Sequence, residues 1–213
     1  MDTERHPLRP FIPDGARLLM LGSFPPACNR WSMDFFYPNF QNDMWRIFGL
    51  VFFADKMHFV DGGARTFRFG EIVALLRDRG IAIYDTATEV RRTRNTASDK
   101  DLEVVTPTDL DGLMSRMPAL ETVVTTGGKA TALLAAHFGI AKPGVGECMP
   151  FDFAGRHMML WRMPSSSRAY PMSVEGKAQI YAKVLSGLHS CAATGGRELP
   201  CRHSEMPADE AKQ

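Results

Sequence analysis

Arg17-Leu18-Leu19-Met20-Leu21-Gly22-Ser23-Phe24-Pro25-Pro26 joins an apolar run to a tight loop near the start of the chain. A similar arrangement recurs late in the chain, where residues 158–162 lead into Met163-Pro164-Ser165-Ser166-Ser167-Arg168. Each apolar run predicts a buried strand. Loops that leave the carboxyl ends of parallel strands are where open α/β sheets bind ligands. We therefore expect these two loops, far apart in sequence, to close on one ligand.

Segments with strand-like and helix-like patterns alternate along the rest of the chain. Strands are predicted at residues 17–22, 81–84, 121–126 and 157–163. Helices are predicted at residues 42–53, 69–79, from 108 onward, from 127 to near 139, and at 173–188, with a polar, charged connection at 85–106. Gly80 and Gly139 are suitable helix stops. This alternation favours the α/β class, with a mainly parallel sheet that helices cover on both faces.

Length and composition indicate an ordinary globular chain. Its 213 residues are 45% hydrophobic and 23% charged, and they carry a net charge of +1. We expect one domain over residues 1–188 and a disordered tail over 189–213, which holds few large apolar residues. The near-neutral charge argues against binding of nucleic acid through bulk charge, but it leaves a local basic face open.

The cysteines and histidines give no sign of a metal site. Cys28, Cys148, Cys191 and Cys201 lack the C-x-x-C spacing of zinc or iron–sulfur sites, and the six histidines show no ligand spacing. We interpret the cysteines as free thiols in a reducing cytoplasm. The polar start lacks a signal-peptide core, and no run reaches the ~20 apolar residues of a membrane helix. The sequence thus predicts a cytoplasmic protein without metal, cofactor or membrane contact, and we expect a monomer.

A long loop between the first strand and the first helix is rich in aromatic and amide side chains. Residues 31–45 read WSMDFFYPNFQNDMW and include Tyr37 and Asn42. Aromatic faces stack on nucleobases and amides read their edges, so the loop is a candidate base-binding segment. The alternative is an Ω-loop that is packed by its own aromatics. Asn42 is likewise either a helix N-cap or a ligand-facing amide, and it can be both.

Phe24 and Asp85 are the next candidates, because each follows a predicted strand. Phe24 offers one wall of a flat slot for a base, or else it is a core residue of a tight turn. Asp85 falls at the carboxyl edge of the sheet, where a carboxylate can accept a base N–H or polarise water. Its alternative role is to cap the following turn.

Several cationic and hydroxyl-bearing segments are candidates for contacts with phosphate. Arg91, Arg92 and Arg94 can clamp phosphates, although such charge runs are more often a solvated face. Ser165, Ser166, Ser167 and Arg168 form a compact set of donors with one cation. The Gly127-Gly128-Lys129 turn lacks the remaining residues of a P-loop, and we favour a plain strand–helix turn there.

These motifs, in this order, resemble the uracil-DNA glycosylase superfamily, nearest the hypoxanthine-DNA glycosylase-like branch that acts on deaminated bases. Gly22-Ser23-Phe24-Pro25 is similar to its first motif and Pro164-Ser165-Ser166-Ser167 to its second. The stretch at residues 36–45, the run Ile81-Ala82-Ile83-Tyr84-Asp85 and the turn at residues 126–130 add to the likeness, which spans residues 17–185. The resemblance implies a three-layer α/β/α fold with a central, mainly parallel, four-stranded sheet.

The resemblance also implies an activity: hydrolysis of the N-glycosidic bond of a deaminated base, uracil or hypoxanthine, flipped out of double- or single-stranded DNA during base-excision repair. No cofactor is implied. The catalytic residues would be Asn42 and Asp85. The base-binding residues would be Gly22, Ser23, Phe24, Pro25, Tyr37, Asn95 and Met163. The DNA-binding residues would be Pro164, Ser165, Ser166, Ser167, Arg168, Tyr170, Lys129, Arg91 and Arg92.

Two positions depart from the superfamily's motifs. Phe24 stands where uracil-acting branches have an acidic or amide residue, and Met163 stands where the best-known branch has histidine. The polar role would then pass to Asn42. These departures keep one alternative open, a catalytically impaired DNA-binding member of the same fold. The Gly127-Gly128-Lys129 turn keeps another open, an unrelated α/β enzyme that acts on free nucleosides or nucleotides.

Overall fold

The computed structural model describes residues 3–93 and 101–188. Its strands are β1 (Thr3–Arg5), β2 (Leu18–Gly22), β3 (Val60–Asp61), β4 (Thr66–Phe67), β5 (Ile81–Asp85), β6 (Ala87–Arg92), β7 (Leu102–Pro107), β8 (Thr122–Thr126), β9 (Cys148–Phe153) and β10 (Arg156–Met163). Its helices are α1 (Met44–Phe53), α2 (Phe69–Asp78), α3 (Leu110–Ser115), α4 (Gly128–His137) and α5 (Val174–Leu185), with a short 3-10 helix at Cys28–Arg30.

The central sheet has the strand order β5-β2-β8-β10-β9. The first four strands are parallel, and they correspond to the four strands that the apolar runs predict. Every residue of β2, β5 and β8 is buried, as expected for parallel strands covered on both faces. The mixed α/β class and the mostly parallel sheet are therefore confirmed. Parallel pairing brings the carboxyl ends of β2, β5, β8 and β10 to one edge, with Gly22 opposite Asp85.

The sheet has five strands, so the expectation of a four-stranded sheet is wrong. The fifth strand, β9, pairs antiparallel with β10 at the edge of the sheet. Its sequence CMPFDF contains Pro150 and Asp152, which disfavour a strand in the interior of a sheet. An edge strand tolerates proline because its outer N–H groups need no partner. Because β9 contains such residues, its sequence gives only a weak strand pattern.

The polar connection at residues 85–106 contains two strands that the sequence did not predict. β6 and β7 pair antiparallel, and β1 pairs with the other edge of β6, which forms a second, three-stranded sheet. Only Ala87, Val90 and Leu102 of this sheet are fully buried. The charged residues on its exposed face hide the alternation, which is why the segment resembles a loop in sequence.

The predicted helices are present, with boundaries that shift by a few residues. Asp43 rather than Asn42 holds the N-cap position of α1, and its side chain makes no capping bond. Ser173 caps α5 by accepting a hydrogen bond from the Gly176 N–H. Gly80 and Gly139 have φ angles of +61° and +64°, the left-handed geometry typical of helix stops. In the core, α1 packs on α5, while α2, α4 and α5 pack on β5, β8 and β10 respectively.

Some predictions fall outside the described residues. These are Arg94, Asn95 and the tail at 189–213. Among the helices that are described, none combines the length and the hydrophobicity needed to cross a bilayer.

Candidate functional site

A cavity of about 250 Å³ lies at the carboxyl edge of the central sheet. Both loops that the sequence singles out line it, and their closing on one ligand stays a prediction. Its lining residues are Gly22, Ser23, Phe24, Pro25, Pro26, Arg30, Phe36, Tyr37, Pro38, Asn39, Gln41, Asn42, Asp85, Arg92, Leu102, Thr126, Ser165, Ser166, Ser167, Arg168 and Ala169. An apolar cavity of about 150 Å³ holds benzene, so this one has room for a nucleobase.

Asp85 and Gly22 approach each other closely at the floor of the cavity. A Cβ built on Gly22 would overlap Asp85 Oδ1 and would lie 3.5 Å from Tyr37 Oη. Glycine is therefore required at the end of β2 by the carboxylate at the end of β5. Tyr37 adopts a φ of +51°, and its hydroxyl lies 3.0 Å from Thr126 Oγ1 at the end of β8.

His6 is a residue of the site that sequence reasoning missed. Its Nε2 lies 2.8 Å from Asp85 Oδ2, and both side chains are buried. Its Nδ1 lies 3.1 Å from the Leu8 N and 2.9 Å from the Leu8 O, so it accepts from the first when neutral and donates to the second when protonated. In either state Nε2–H donates to the carboxylate. No local pattern marks this contact, because 79 positions separate the two residues.

Oδ1 of Asp85 remains available to a ligand in the cavity. Only Oδ2 receives the hydrogen bond from His6, and the side chain of Asp85 is 9% exposed. The Thr108 hydroxyl donates to the Asp85 backbone carbonyl at 2.7 Å, which fixes the end of β5. Asp85 therefore presents a hydrogen-bond acceptor that is held in place from two sides.

Asn42 presents the complementary group. Its Oδ1 accepts the Met44 N–H at 2.9 Å, which identifies the oxygen of the amide. The oxygen thus caps the first turn of α1, as the N-cap interpretation expected of this side chain, although Asp43 takes the cap position itself. Its Nδ2 has no hydrogen-bond partner within residues 3–93 and 101–188. Asn42 lines the cavity, and its free amide group is a donor.

The loop before α1 is both packed by its own aromatics and exposed to the cavity. Phe35 and Phe36 are buried, and the Trp45 Nε1 donates to the Phe36 carbonyl at 3.2 Å. Arg46 Nη1 donates to the carbonyls of Phe40 and Asn42 at 2.8 and 3.0 Å. The pKa of Arg46 is lowered from its ordinary value, chiefly by burial and then by the positive charge of Arg168. The loop is therefore packed by its own aromatics, and it also lines the cavity, while its role in base binding stays a prediction.

Phe24 packs beside the small apolar cluster of the second sheet and also lines the cavity. Its ring meets the edge of His6 at 5.2 Å between centroids, in a T-shaped arrangement. Arg92 fixes this loop: its Nη2 donates to the Pro25 carbonyl at 2.7 Å, and its Nε pairs with Glu4 at 2.9 Å. Arg92 therefore has a structural role, because it connects the Phe24 loop to Glu4 of β1.

The serine loop forms the opposite wall of the cavity. The Ser167 N–H donates to Ser165 Oγ at 3.2 Å, and the Ala169 N–H donates to Ser167 Oγ at 3.3 Å. Each hydroxyl that accepts from the backbone retains its own hydrogen for donation to a ligand. Arg168 is 58% exposed at the mouth of the cavity. Arg30 is also exposed there, and the sequence analysis did not select it.

Other predicted residues lie outside the cavity lining. Met163 is buried in the core and Pro164 is also buried. Tyr170 has its ring 6.0 Å from Lys177 Nζ, and Lys129 Nζ donates to the Leu102 carbonyl. Arg91 pairs with Glu103 at 3.2 Å on the exposed face of the second sheet. Roles for these residues in binding stay predictions.

The arrangement combines a donor, an acceptor, aromatic walls and a polar rim. Such a set can bind a planar heterocycle by its edge and its faces and can hold an anion at the mouth. Within the described part of the chain, no three His, Cys, Asp or Glu side chains lie together in a way that would hold a metal ion.

Comparison with known proteins supports the fold. No protein-family model and no curated protein matches the sequence. A solution NMR structure from Methanosarcina acetivorans, described as a "putative Uracil DNA glycosylase", is similar with a TM-score of 0.59 and 18% identity. The match covers 88% of this chain and 99% of that chain. The chain therefore has the fold of that protein.

Proposed function

We propose that this chain is a DNA glycosylase that hydrolyses the N-glycosidic bond of a deaminated base flipped out of DNA. The observation that carries the proposal is the pairing of a free amide donor on Asn42 with a fixed carboxylate acceptor on Asp85 in one cavity. The fold shared with a protein described as a "putative Uracil DNA glycosylase" supports it. Duplex stacking shields the bond to be broken, so the nucleotide must leave the helix before it can enter a cavity of this kind.

The donor and acceptor match the edge that deamination creates. Uracil and hypoxanthine carry a carbonyl oxygen next to a ring N–H. Asn42 Nδ2 can donate to that oxygen while Asp85 Oδ1 accepts from that N–H. Cytosine and adenine carry an amino group next to an unprotonated ring nitrogen, which would face the Asp85 carboxylate as a second acceptor. An uncompensated buried acceptor is costly, so the cavity should reject cytosine and adenine, the parents of uracil and hypoxanthine.

The same groups fit the charge that develops during hydrolysis. As the glycosidic bond breaks, its electron pair moves to the base and the sugar becomes cationic. Donation from Asn42 to the base carbonyl stabilises the departing anion, and Asp85, bonded to the base N–H, orients the base for that donation. Water then adds to C1′ and gives up a proton, and the departing base anion takes up a proton, which leaves a neutral free base and an abasic site in DNA. Phe24 would stack on the flipped base, with Gly22, Ser23, Pro25 and Tyr37 completing its pocket.

The polar rim would hold the DNA backbone. Ser165, Ser166 and Ser167 offer hydroxyl and backbone donors for a phosphate, and Arg168 adds a cation at the mouth. Arg30 is a further cation in the same place. In this proposal Tyr170, Lys129 and Arg91 lie along the flanking DNA, while Arg92 supports the Phe24 loop. Only Arg30 and Arg168 neutralise phosphates, because Arg91 is paired with Glu103 and Lys129 bonds the Leu102 carbonyl.

The direct test is base release from defined DNA. Oligonucleotides that carry uracil, hypoxanthine or xanthine are incubated with the purified protein, and abasic sites are cleaved with alkali. We expect release of at least one of these bases and none from unmodified DNA. Asn42→Ala should lower the single-turnover rate by about 100- to 1000-fold, the usual cost of one donor to a developing anion. Asn29→Ala, in the exposed 3-10 helix, should leave it unchanged.

A second candidate function is binding without turnover. It is favoured by Phe24, which places an apolar ring where a water-activating residue would be expected. It predicts affinity for DNA that carries a deaminated base or an abasic site, with no base released at high protein concentration. Turnover that co-purifies with the protein and disappears in Asn42→Ala excludes this candidate.

A further inference from the structure

A buried ion pair lies beneath the cavity and outside its lining. Lys177 of α5 is fully buried, and its Nζ lies 2.8 Å from Oδ2 of Asp43, which is also buried. The same Nζ donates to the Ser167 carbonyl at 2.8 Å. Oδ1 of Asp43 faces Arg168 Nη2 at 3.6 Å, a distance too long for a hydrogen bond. One lysine therefore bridges two loops that lie more than a hundred positions apart in sequence.

The peptide between Asn42 and Asp43 is held from both sides. Its N–H donates to the Ser166 carbonyl at 2.9 Å, and its carbonyl accepts from Arg46 Nη1 at 3.0 Å. Asp43 follows Asn42 directly, so the bond from Lys177 to the Asp43 carboxylate reaches the residue beside the amide donor. Lys177 thus fixes the distance between the base-binding side of the cavity and the serine loop.

Stability alone does not account for a charged pair at this position. Removing two charges from water is expensive, and apolar pairs of similar volume often stabilise a protein as well or better. What an apolar pair cannot supply is direction, because only hydrogen-bonding groups fix two loops at a set spacing. We infer that Lys177 and Asp43 are positioning residues, which hold Asn42 in register with the serine loop. This inference rests on the proposed glycosylase function.

The decisive variant replaces the pair with apolar side chains of similar size, as Lys177→Met with Asp43→Leu. We expect this double variant to be folded, with a Tm at or above that of Lys177→Met alone, because it leaves no unpaired buried charge. Its single-turnover rate of base release should fall about 10- to 100-fold, the cost of a displacement of about 1 Å in a reacting site. Lys183→Met removes another lysine of α5, which bonds the Gly146 carbonyl, and should keep the wild-type rate.

A double-mutant cycle then asks whether the pair acts through Asn42. If it does, the triple variant, which carries Asn42→Ala together with the apolar pair, should have the same rate as Asn42→Ala alone, within about twofold. Multiplication of the two losses would overturn the inference. So would an apolar double variant that keeps the wild-type rate, since the pair would then have no role in positioning Asn42.

A spectroscopic measurement separates this inference from the proposed function. The side-chain amide signals of Asn42, assigned by their loss in Asn42→Ala, are compared in the free proteins by 15N-edited NMR. We expect them to shift or broaden in the apolar double variant and to stay in place in Lys183→Met. Unchanged Asn42 signals refute the positioning role whatever the activity. Shifted signals in a protein that releases no base support it while the proposed function fails.

Discussion

Gly22 is the last residue of β2, and it lies where the Phe24 loop begins and where the Asp85 carboxylate approaches. The local sequence suggests only that a tight turn needs glycine there. The fold adds a stronger reason, because a side chain at this position would overlap Asp85 Oδ1. Asp85 is held by His6 from behind, so it has little room to move aside.

Gly22→Ala should therefore abolish the function of the cavity while leaving the fold in place. The added methyl displaces the Asp85 carboxylate, and we expect base release to fall by about 100-fold or more. Single-turnover kinetics measure the loss, and circular dichroism checks the fold. Gly70→Ala is the matched control, since a Cβ there meets nothing within 4 Å. Full activity of Gly22→Ala would show that Asp85 is not used where it stands.

The contact of His6 with Asp85 gives a second prediction at the scale of single residues. Without the Nε2–H donor, the carboxylate loses one of the bonds that aim Oδ1 at the cavity. His6→Ala should lower the rate by about tenfold, the worth of one hydrogen bond to a charged group. His157→Ala removes an exposed histidine that bonds Asp152 outside the cavity, and it should have no effect. Equal rates for the two variants would contradict a role for His6.

At the scale of elements, α5 supports the serine loop from below. Lys177 and Tyr181 lie four residues apart, so they share one face of the helix. The Tyr181 hydroxyl donates to the Pro164 carbonyl at 3.0 Å, and Lys177 bonds the Ser167 carbonyl. The helix was predicted from its apolar spacing, but its contact with the loop was not. Both contacts join side chains to carbonyls, which any residue type in the loop would supply.

Burial raises the pKa of Tyr181 well above its ordinary value, and this predicts how stability depends on pH. Below pH ~10 the tyrosine is neutral in both folded and unfolded protein, so it contributes no pH dependence. Above pH ~10 only the unfolded state ionises, so the free energy of unfolding falls as the pH rises toward the folded pKa. Urea titrations between pH 8 and about 11 measure the decline.

Tyr181→Phe should show a shallower decline, because phenylalanine cannot ionise. It should also cost about 1 kcal/mol at neutral pH, since the bond to Pro164 is lost. Tyr170→Phe is the control on the same face of the site. If Tyr181→Phe falls as steeply as wild type above pH 10, another group causes the alkaline loss.

The second sheet shows why elements of mixed polarity are hard to predict. β6 buries Ala87 and Val90, and its other residues, Thr88, Glu89, Arg91 and Arg92, are polar and half-buried, while β7 buries only its first residue. The strands are held by pairing with each other and with β1, which no local pattern announces. This sheet nevertheless matters for the site, because it supports Phe24, and its strand β1 leads into His6.

For the molecule as a whole, a net charge of +1 means that long-range attraction to DNA is weak. Affinity should depend on the few cations at the mouth of the cavity. Arg30 and Arg168 are exposed there, whereas Arg92 is engaged by Glu4 and Pro25. A protein of this kind should show a shallow dependence of DNA affinity on salt.

We predict a slope of about −2 for the logarithm of the association constant against the logarithm of salt concentration, since each phosphate contact contributes about −0.9. Arg30→Gln should reduce the magnitude of the slope by about 1. Arg17→Gln, which removes a cation from the opposite end of β2, should not change it. Fluorescence anisotropy with a duplex that carries an abasic-site analogue provides the measurement. A slope steeper than about −5 would indicate a basic face beyond the two arginines.

The sequence by itself determined the class of the fold and the position of the site. Short apolar runs bounded by turn residues favour buried strands, and parallel strands bring their following loops to one edge, so the cavity could be located from residues 17–26 and 158–168. The likeness in motifs also named Asn42 and Asp85. Tertiary structure alone decided which atoms of these residues are available. In the folded chain the Asn42 oxygen accepts the Met44 N–H, and His6 bonds Oδ2 of Asp85. Lys177 connects Asp43 to the serine loop. Such contacts join residues far apart in the chain through single directional bonds, and these bonds leave no periodic trace in a sequence.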